Sequence, residues 1–117
     1  MSDGAGSWYP FDGGRSVGTE GSEAGTILAD DEHELGARIT LERDGRTAPF
    51  AITCGIYGWM MHMRFFATEA DARLAHDAMR QALGEIMLTI PLDGDPDRDA
   101  RMTEVTRRIV EFVERFP

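Results

Sequence analysis

The sequence predicts an α+β fold, in which an antiparallel β-meander of three to four strands is followed by two C-terminal antiparallel helices packed on one face of the sheet. Short β-favouring runs separated by turn residues fill residues 26–67. Two later segments, 69–90 and 96–116, repeat apolar residues at the spacing of amphipathic helices. A chain of 117 residues, of which 42% are hydrophobic, is long enough for one domain with its own core.

Four runs have the composition or alternation of strands, and they occupy residues 26–31, 37–42, 49–56 and 59–66. Asp44 and Gly45 mark a hairpin turn between the second and third runs. The third run carries large apolar residues on one face. Its other face carries only Ala51, Thr53 and Gly55, which are small enough for a ligand or another backbone to approach closely.

The last run, 59–66, contains the residues that we predict at an interface. We expect its odd-numbered residues, from Trp59 to Phe65, to face the helices. Strand alternation then sends the even-numbered residues to the opposite face, namely Met60, His62, Arg64 and Phe66. Such a mixed patch is typical of protein–protein contacts. We therefore predict a homo-oligomer, in the simplest case a homodimer, with Met60, Arg64 and Phe66 at its interface.

The same face favours a second function, the binding of an anionic small molecule. Histidine exchanges protons near neutral pH and arginine pairs with carboxylates and phosphates, so His62 and Arg64 would form the centre of the site. Its expected lining is Thr53, Tyr57 and Trp59. The same pair would suit acid–base chemistry, which keeps an enzyme among the alternatives. A further alternative is a solvated or subunit-covered face, on which Arg64 pairs with an acidic residue across the strands.

The two helices have recognisable beginnings. Thr68 and Asp71 form a capping box ahead of the first helix, which is expected to end at Pro91. Asp95 is expected to cap the second helix, with Pro96 at its first position. The loop between them is short, so the helices should lie antiparallel and side by side.

The segment 93–104 resembles an EF-hand calcium loop, because oxygen ligands fall at its positions one, three, five and twelve: Asp93, Asp95, Asp97 and Glu104. Position six is Arg98, where the sharp turn of such a loop requires glycine. Pro96 also fits a helix start better than a coordinating loop. Acidic capping of the second helix accounts for the aspartates without a metal. We expect no cofactor.

Residues 1–25 are rich in glycine, serine and acidic residues and are predicted to form a flexible tail ahead of a single domain at 26–117. Residues 8–11, with the sequence Trp-Tyr-Pro-Phe, form an aromatic hook within this tail. Such a hook seldom stays in water when an apolar groove is near, on the same subunit or on a partner. The sequence is compatible with both a docked and a free hook.

The charge balance argues against several classes of function. Twelve arginines, no lysine and 21 acidic residues give a net charge of −9, which repels nucleic acid and anionic membranes. No apolar run approaches the roughly 20 residues that span a bilayer. The N-terminus also lacks the features of a secretory signal. We therefore expect a cytoplasmic protein with no nucleic-acid or membrane partner.

Side chains suited to covalent chemistry are scarce. Cys54 is the only cysteine, and we expect it to act as a small buried hydrophobe. All four serines lie in the first 22 residues, and no nucleotide-binding loop is present. His76 falls beside the apolar stripe of the first helix and is expected at the surface or its boundary. The leading hypothesis is a non-enzymatic homo-oligomer or protein-interaction module, followed by the anionic-ligand site and by an acidic protein that mimics nucleic acid.

Overall fold

Five antiparallel strands form one sheet, in which each strand pairs with the next along the chain. A computed structural model describes residues 7–92 and 94–117. Its main elements are β1 (Trp8–Pro10), β2 (Thr26–His33), β3 (Ala37–Arg43), β4 (Phe50–Ile56), β5 (Met60–Phe66), α1 (Glu69–Met87) and α2 (Arg98–Arg115). The α+β class and the antiparallel meander are confirmed, with five strands in place of the predicted three to four.

β1 is the strand that the sequence did not predict. Trp8 pairs with His33 and Pro10 with Asp31, so this strand lies along the outer edge of β2. β2 extends further than its predicted run and thereby offers the edge on which the aromatic hook pairs. Residues 7–25 include β1 and two backbone amides that donate to Glu42, and the flexibility of this part of the chain stays a prediction. A strand of three residues is too short to be revealed by alternation.

The core lies between one face of the sheet and the helices. The sheet contributes fully buried side chains that include Ile39, Leu41, Ile52 and Ile56. The helices bury apolar side chains that include Met79, Leu83, Val105 and Phe112. Each such side chain stabilises the fold by about 1.5–3 kcal/mol relative to leaving it exposed. We call the opposite face of the sheet the second face, and residues 11–25, which cross it, the N-terminal segment.

The helix starts agree with prediction for α1 and differ for α2. Thr68 caps α1, because its hydroxyl accepts a hydrogen bond from the Asp71 amide at 3.3 Å. α2 begins at Arg98, later than predicted. The Asp95 carboxylate accepts a hydrogen bond from the Asp97 amide at 3.1 Å, so Asp95 caps the turn that leads into α2. Within the described residues, no helix has the length and apolarity needed to cross a membrane.

His76 is buried, contrary to the expected position at the surface or its boundary. The charged groups around it are Asp31, Asp77 and Arg80. Burial lowers the pKa of the imidazole, and the neighbouring carboxylates offset this effect only in part. The buried stripe of α1 is therefore wider than its aliphatic residues indicate, because a histidine continues it.

The alternation of β5 is as expected, but its phase is opposite to the prediction. Cys54, a core residue, pairs directly with His62, so both side chains lie on the helix side of the sheet. The β5 residues on that side are Met60, His62, Arg64 and Phe66. The β5 residues on the second face are Met61, Met63 and Phe65. The set on the second face is entirely apolar, whereas the set on the helix side includes His62 and Arg64, so alternation favours the opposite phase. On the helix side these two side chains are satisfied by the carbonyl oxygens of Phe116 and Pro117.

Candidate functional site

The second face carries a groove with a volume of about 720 Å³. Its floor consists of the short residues Thr40, Thr53 and Gly55 from the centre of the sheet. Residues 20–22 of the N-terminal segment form the first wall, and residues 57–61 at the β4–β5 turn form the second wall. The groove thus lies over the small residues of β4, where the sequence indicated room for a ligand or another backbone.

A buried carboxylate, Glu42, holds the first wall against the sheet. Its two oxygens accept hydrogen bonds from the backbone amides of Glu23, at 3.1 Å, and Gly25, at 2.9 Å. A Cβ atom at Gly21 would lie 2.6 Å from Glu42 Oε2. At Gly25 it would lie 2.3 Å from the carbonyl oxygen of Arg43. Glycine at both positions therefore allows the backbone to approach Glu42 this closely.

Arg38 is the one described cation that lines the groove, and its charge is already paired. Its Nε and Nη2 atoms donate to the two carboxylate oxygens of Asp30 at 2.9 and 2.7 Å. Thr40 Oγ1 donates to the same carboxylate at 3.1 Å. Burial raises the pKa of Asp30, but the hydrogen bonds outweigh burial and hold the pKa below its usual range. Arg38 and Asp30 thus form a charged pair at the sheet surface.

Aromatic residues dominate the second wall. Gly58, with a φ of +81°, turns the chain between Tyr57 and Trp59. The Tyr57 hydroxyl donates to Glu32 Oε2 at 2.8 Å, and the Tyr9 hydroxyl donates to Oε1 at 3.1 Å. Burial, followed by the bond to Glu32, raises the pKa of Tyr57 to about 12. The hydroxyl therefore stays protonated near neutral pH, and this wall combines aromatic surface with a fixed carboxylate.

His62 and Arg64 do not belong to the groove. His62 Nε2 donates to the carbonyl oxygen of Phe116, and Arg64 Nε donates to that of Pro117 at 3.1 Å. The His62 ring also meets the Phe112 ring edge-on, with 6.3 Å between centroids. The two residues therefore attach the end of α2 to β5. The anion site around them stays a prediction, and in this structure their donor groups bond to the chain terminus on the helix side.

The structure brings together three of the five predicted ligand residues, since Thr53, Tyr57 and Trp59 all line the groove. Sequence reasoning missed Glu20, which also lines it, and placed Arg38 among the possible neighbours of the site. The small residues on one face of β4 indicated that Thr53 could lie in a binding site. No local pattern indicates the first wall, because Ser22 Oγ meets Thr53 Oγ1, at 3.3 Å, across 31 residues of chain.

The exposed apolar residues of β5 are not the predicted interface residues. Met60, Arg64 and Phe66 are half-buried on the helix side. Met61 and Phe65, on the second face, are 74% and 44% exposed. β5 is also an edge strand of the sheet. β5 therefore has an exposed apolar edge, but Met61 and Phe65 form it and not the predicted Met60, Arg64 and Phe66.

The carboxylates of the EF-hand-like segment have other partners. Asp93 lies outside the described residues, and Asp95 pairs with Arg101 at 3.3 Å. The amide of Asp97 is bonded to Asp95, as described above. Glu104 lies inside α2, where it bonds Arg107 and Arg108. α2 begins at Arg98, position six of the segment, where an EF-hand loop makes its sharp glycine turn. No group of three or more potential metal ligands occurs within 7–92 and 94–117.

The groove is equipped for binding more than for covalent chemistry. Burial raises the pKa of the Cys54 thiol to about 12, so this side chain is not a nucleophile at neutral pH. Among the described residues, no histidine lines the groove. The polar groups that remain are hydroxyls and backbone groups, together with Glu20 and the paired Arg38.

Comparisons with known proteins add no relative to this description. The chain matches no protein-family model, no curated protein and no solved structure. The shape and charges of the groove therefore carry the functional argument.

Proposed function

We propose that this protein is a small-molecule-binding domain whose site is the groove on the second face. The groove itself carries the proposal, because its volume of about 720 Å³ lies within the roughly 300–1,000 Å³ of small-molecule sites. Its lining is mostly apolar and aromatic, with hydroxyl groups from Ser22, Thr40 and Thr53. Such sites hold a ligand by shape and orient it by a few polar contacts.

The walls of the groove are preorganised, which also supports binding. The floor belongs to the centre of a sheet. Glu42 holds the first wall through two backbone amides, and the bond from Tyr57 to Glu32 restrains the second wall. A site that is already shaped loses less conformational entropy when its ligand binds.

A fragment screen read out by amide NMR tests this proposal. We expect aromatic fragments that bind to shift the amide resonances of residues 20–22 and 53–61. Thr53→Phe places a ring on the floor of the groove and should weaken binding at least about tenfold, because ring and ligand would occupy the same space. The matched control is Thr103→Phe on the exposed side of α2, which should bind as the parent protein does. The proposal would be wrong if the fragments shifted amides outside the groove, or if Thr53→Phe left their affinity unchanged.

Self-association through β5 is a second candidate function, and it retains the homodimer that the sequence predicts. The exposure of Met61 and Phe65 on an edge strand favours it, because exposed apolar edges readily pair with another chain. The other edge strand, β1, is short and ends at Pro10, so it offers little pairing surface. Residues 57–68 include no acidic residue. Two copies of this acidic chain would therefore meet at β5 without like-charge repulsion.

Native mass spectrometry of point variants tests the second candidate. Phe65→Lys should convert the dimer to a monomer, because a charge on the edge strand is unfavourable inside an apolar interface. Leu74→Lys is the matched control on α1, where the leucine is 71% exposed, and it should leave the dimer intact. A parent protein that stays monomeric at its highest soluble concentration would eliminate this candidate. The cytoplasmic location stays a prediction from the sequence.

A further inference from the structure

Carboxylates outnumber free cations around the groove. Glu20 lines the groove, and Glu32 accepts the hydrogen bond of Tyr57, which also lines it. Glu42 lies against Gly21 of the first wall and is bonded to backbone amides. Among the described residues, no cation lies at ion-pair distance from these three carboxylates. Their negative charge is therefore left for a ligand or for counterions to balance.

Arg38 forms no ion pair with these three carboxylates, because its Nε and Nη2 donors are engaged by Asp30. Its Nε and Nη2 edge, which would grip a ligand carboxylate, is bonded to both oxygens of Asp30. The Phe11 ring covers the guanidinium group, with its centroid 3.5 Å from Cζ. An anionic ligand would have to displace Asp30 from a buried position. The arrangement thus disfavours the anion that the sequence suggested.

The aromatic wall favours a cation for an independent reason. Tyr57 and Trp59 both line the groove, and the tyrosine side chain is more than half exposed. The face of an aromatic ring attracts ammonium groups, most strongly where water is partly excluded. An apolar body beside a positive charge would therefore match both components of this wall, the rings and the carboxylate of Glu32 behind them.

We infer that the groove binds an amphipathic organic cation, an alkyl- or arylammonium compound whose apolar part lies over Thr53 and Gly55 and whose ammonium group lies near Glu20 and Tyr57. This inference rests on the proposed function and adds the charge of the ligand to it. The net charge of −9 would also raise the local concentration of such cations and speed their association.

Three compounds that differ in the terminal group test the charge. They are 4-phenylbutylamine, 4-phenylbutan-1-ol and 4-phenylbutyrate, which are cationic, neutral and anionic at neutral pH. We expect the amine to shift the amides of residues 20–22 and 53–61 with an affinity at least about fivefold higher than the alcohol, from the size of a cation–π contact. The carboxylate should bind most weakly. Raising the ionic strength should narrow the gap between amine and alcohol.

Charge variants locate the effect within the groove. Glu20→Gln should bring the affinity of the amine close to that of the alcohol. Glu85→Gln, at an exposed position on α1, is the matched control and should change neither. Glu20 is exposed, so the substitution is not expected to unfold the chain.

The outcomes separate this inference from the proposed function. If the amine and the alcohol bind equally, or if the carboxylate binds most tightly, the inference of a cationic ligand is wrong. The groove would still be a binding site. A preference for the amine that Glu20→Gln does not reduce overturns the placement of the ammonium group, and with it the inference. If none of the three compounds shifts the groove amides at millimolar concentration, the binding function itself fails.

Discussion

Asp30 is the single charge on which the second face most depends. Its side chain is fully buried and accepts hydrogen bonds from Arg38 and Thr40. Asp30→Asn keeps the shape of the side chain but leaves Arg38 without its counter-charge. Removing one partner of a fully buried pair costs about 3–5 kcal/mol. Because Arg38 is 36% exposed and screened by water, we expect unfolding in urea to show a loss of about 2 kcal/mol.

The matched control for Asp30→Asn is Asp12→Asn. Asp12 also pairs with an arginine, Arg15, but both side chains are exposed. The residue has a φ of +51°, which asparagine tolerates well. The free energy of unfolding should therefore change by less than about 0.5 kcal/mol. If both variants lost the same free energy of unfolding, the burial of Asp30 would not explain its contribution to stability.

The Asp30–Arg38 pair also gives stability an acid dependence of known sign. The folded pKa of Asp30 is lowered, so the pair stabilises the fold fully above the unfolded pKa, about 3.9 for aspartate. That contribution is lost as the pH falls through the folded pKa. The difference in unfolding free energy between parent and Asp30→Asn should therefore shrink on acidification below about pH 4.

His76 gives stability a second pH dependence, nearer to neutral pH. Burial lowers its folded pKa, while the unfolded imidazole titrates at about 6.5. Below that pH the unfolded chain binds a proton that the folded chain rejects, so stability falls as the pH decreases. His76→Leu should flatten the plot of unfolding free energy against pH between about 5 and 7. His33 and His62 are present in both proteins, so parallel curves would exclude His76 as the cause.

At the scale of elements, the N-terminal segment depends on Glu42. Its carboxylate satisfies the backbone amides of Glu23 and Gly25 from within the sheet. Glu42→Gln replaces one acceptor oxygen by an NH₂ group that faces an amide donor. Leaving a buried donor unsatisfied costs about 1–3 kcal/mol. We expect this loss in urea unfolding, together with faster hydrogen exchange at the Glu23 and Gly25 amides.

Glu23→Gln is the control for this prediction. It makes the same chemical change on the segment itself, at a half-exposed side chain, and leaves the Glu23 backbone amide in place. Its amides should exchange at the parent rate. If both variants accelerated exchange equally, the effect would come from the charge of the segment and not from the clamp.

Elements whose apolar residues repeat regularly along the sequence could be predicted. Elements that depend on contacts with distant parts of the chain could not. Alternation and turn residues identify β3 and β4, and the Thr68 capping box identifies the start of α1. β1 is visible only once the extended edge of β2 is known. The phase of β5 depends on the end of α2, which binds His62 and Arg64. A short strand has too few residues for alternation to be read, and the wholly apolar side of β5 faces away from the helices, so its pattern indicates the wrong face.

For the whole molecule, the two faces of the sheet differ in the kind of side chain that they bury. The helix side takes the large apolar side chains, and the second face takes the buried carboxylates Asp30 and Glu42. The sequence located the groove in part, through the small residues of β4 and the aromatic turn after it. Sequence reasoning placed His62 and Arg64 on the second face, but both side chains face the helices. The charge near a site depends on strand phase, and in β5 the wholly apolar side lies on the second face, so alternation indicates the opposite phase.

Removal of residues 1–25 tests whether residues 26–117 form a domain on their own, as the sequence suggests. Residues 8–25 contact the rest of the sheet, since they supply β1, the donors to Glu42 and the Phe11 ring over Arg38. We expect the truncated chain to lose at least about 2 kcal/mol of unfolding free energy and all binding at the groove, which would lack its first wall. Denaturant unfolding and the NMR titration measure the two effects.

Gly25→Ala in the full-length chain separates the packing of the segment from its mere presence. The new Cβ would lie 2.3 Å from the Arg43 carbonyl oxygen, so the segment must move away from the sheet although every residue is still there. It should therefore reproduce most of the stability loss and weaken ligand binding. A truncated chain as stable as the parent would instead show that residues 26–117 fold independently. In that event residues 20–22 would form the first wall without stabilising the domain. Gly25→Ala would then weaken ligand binding without lowering the free energy of unfolding.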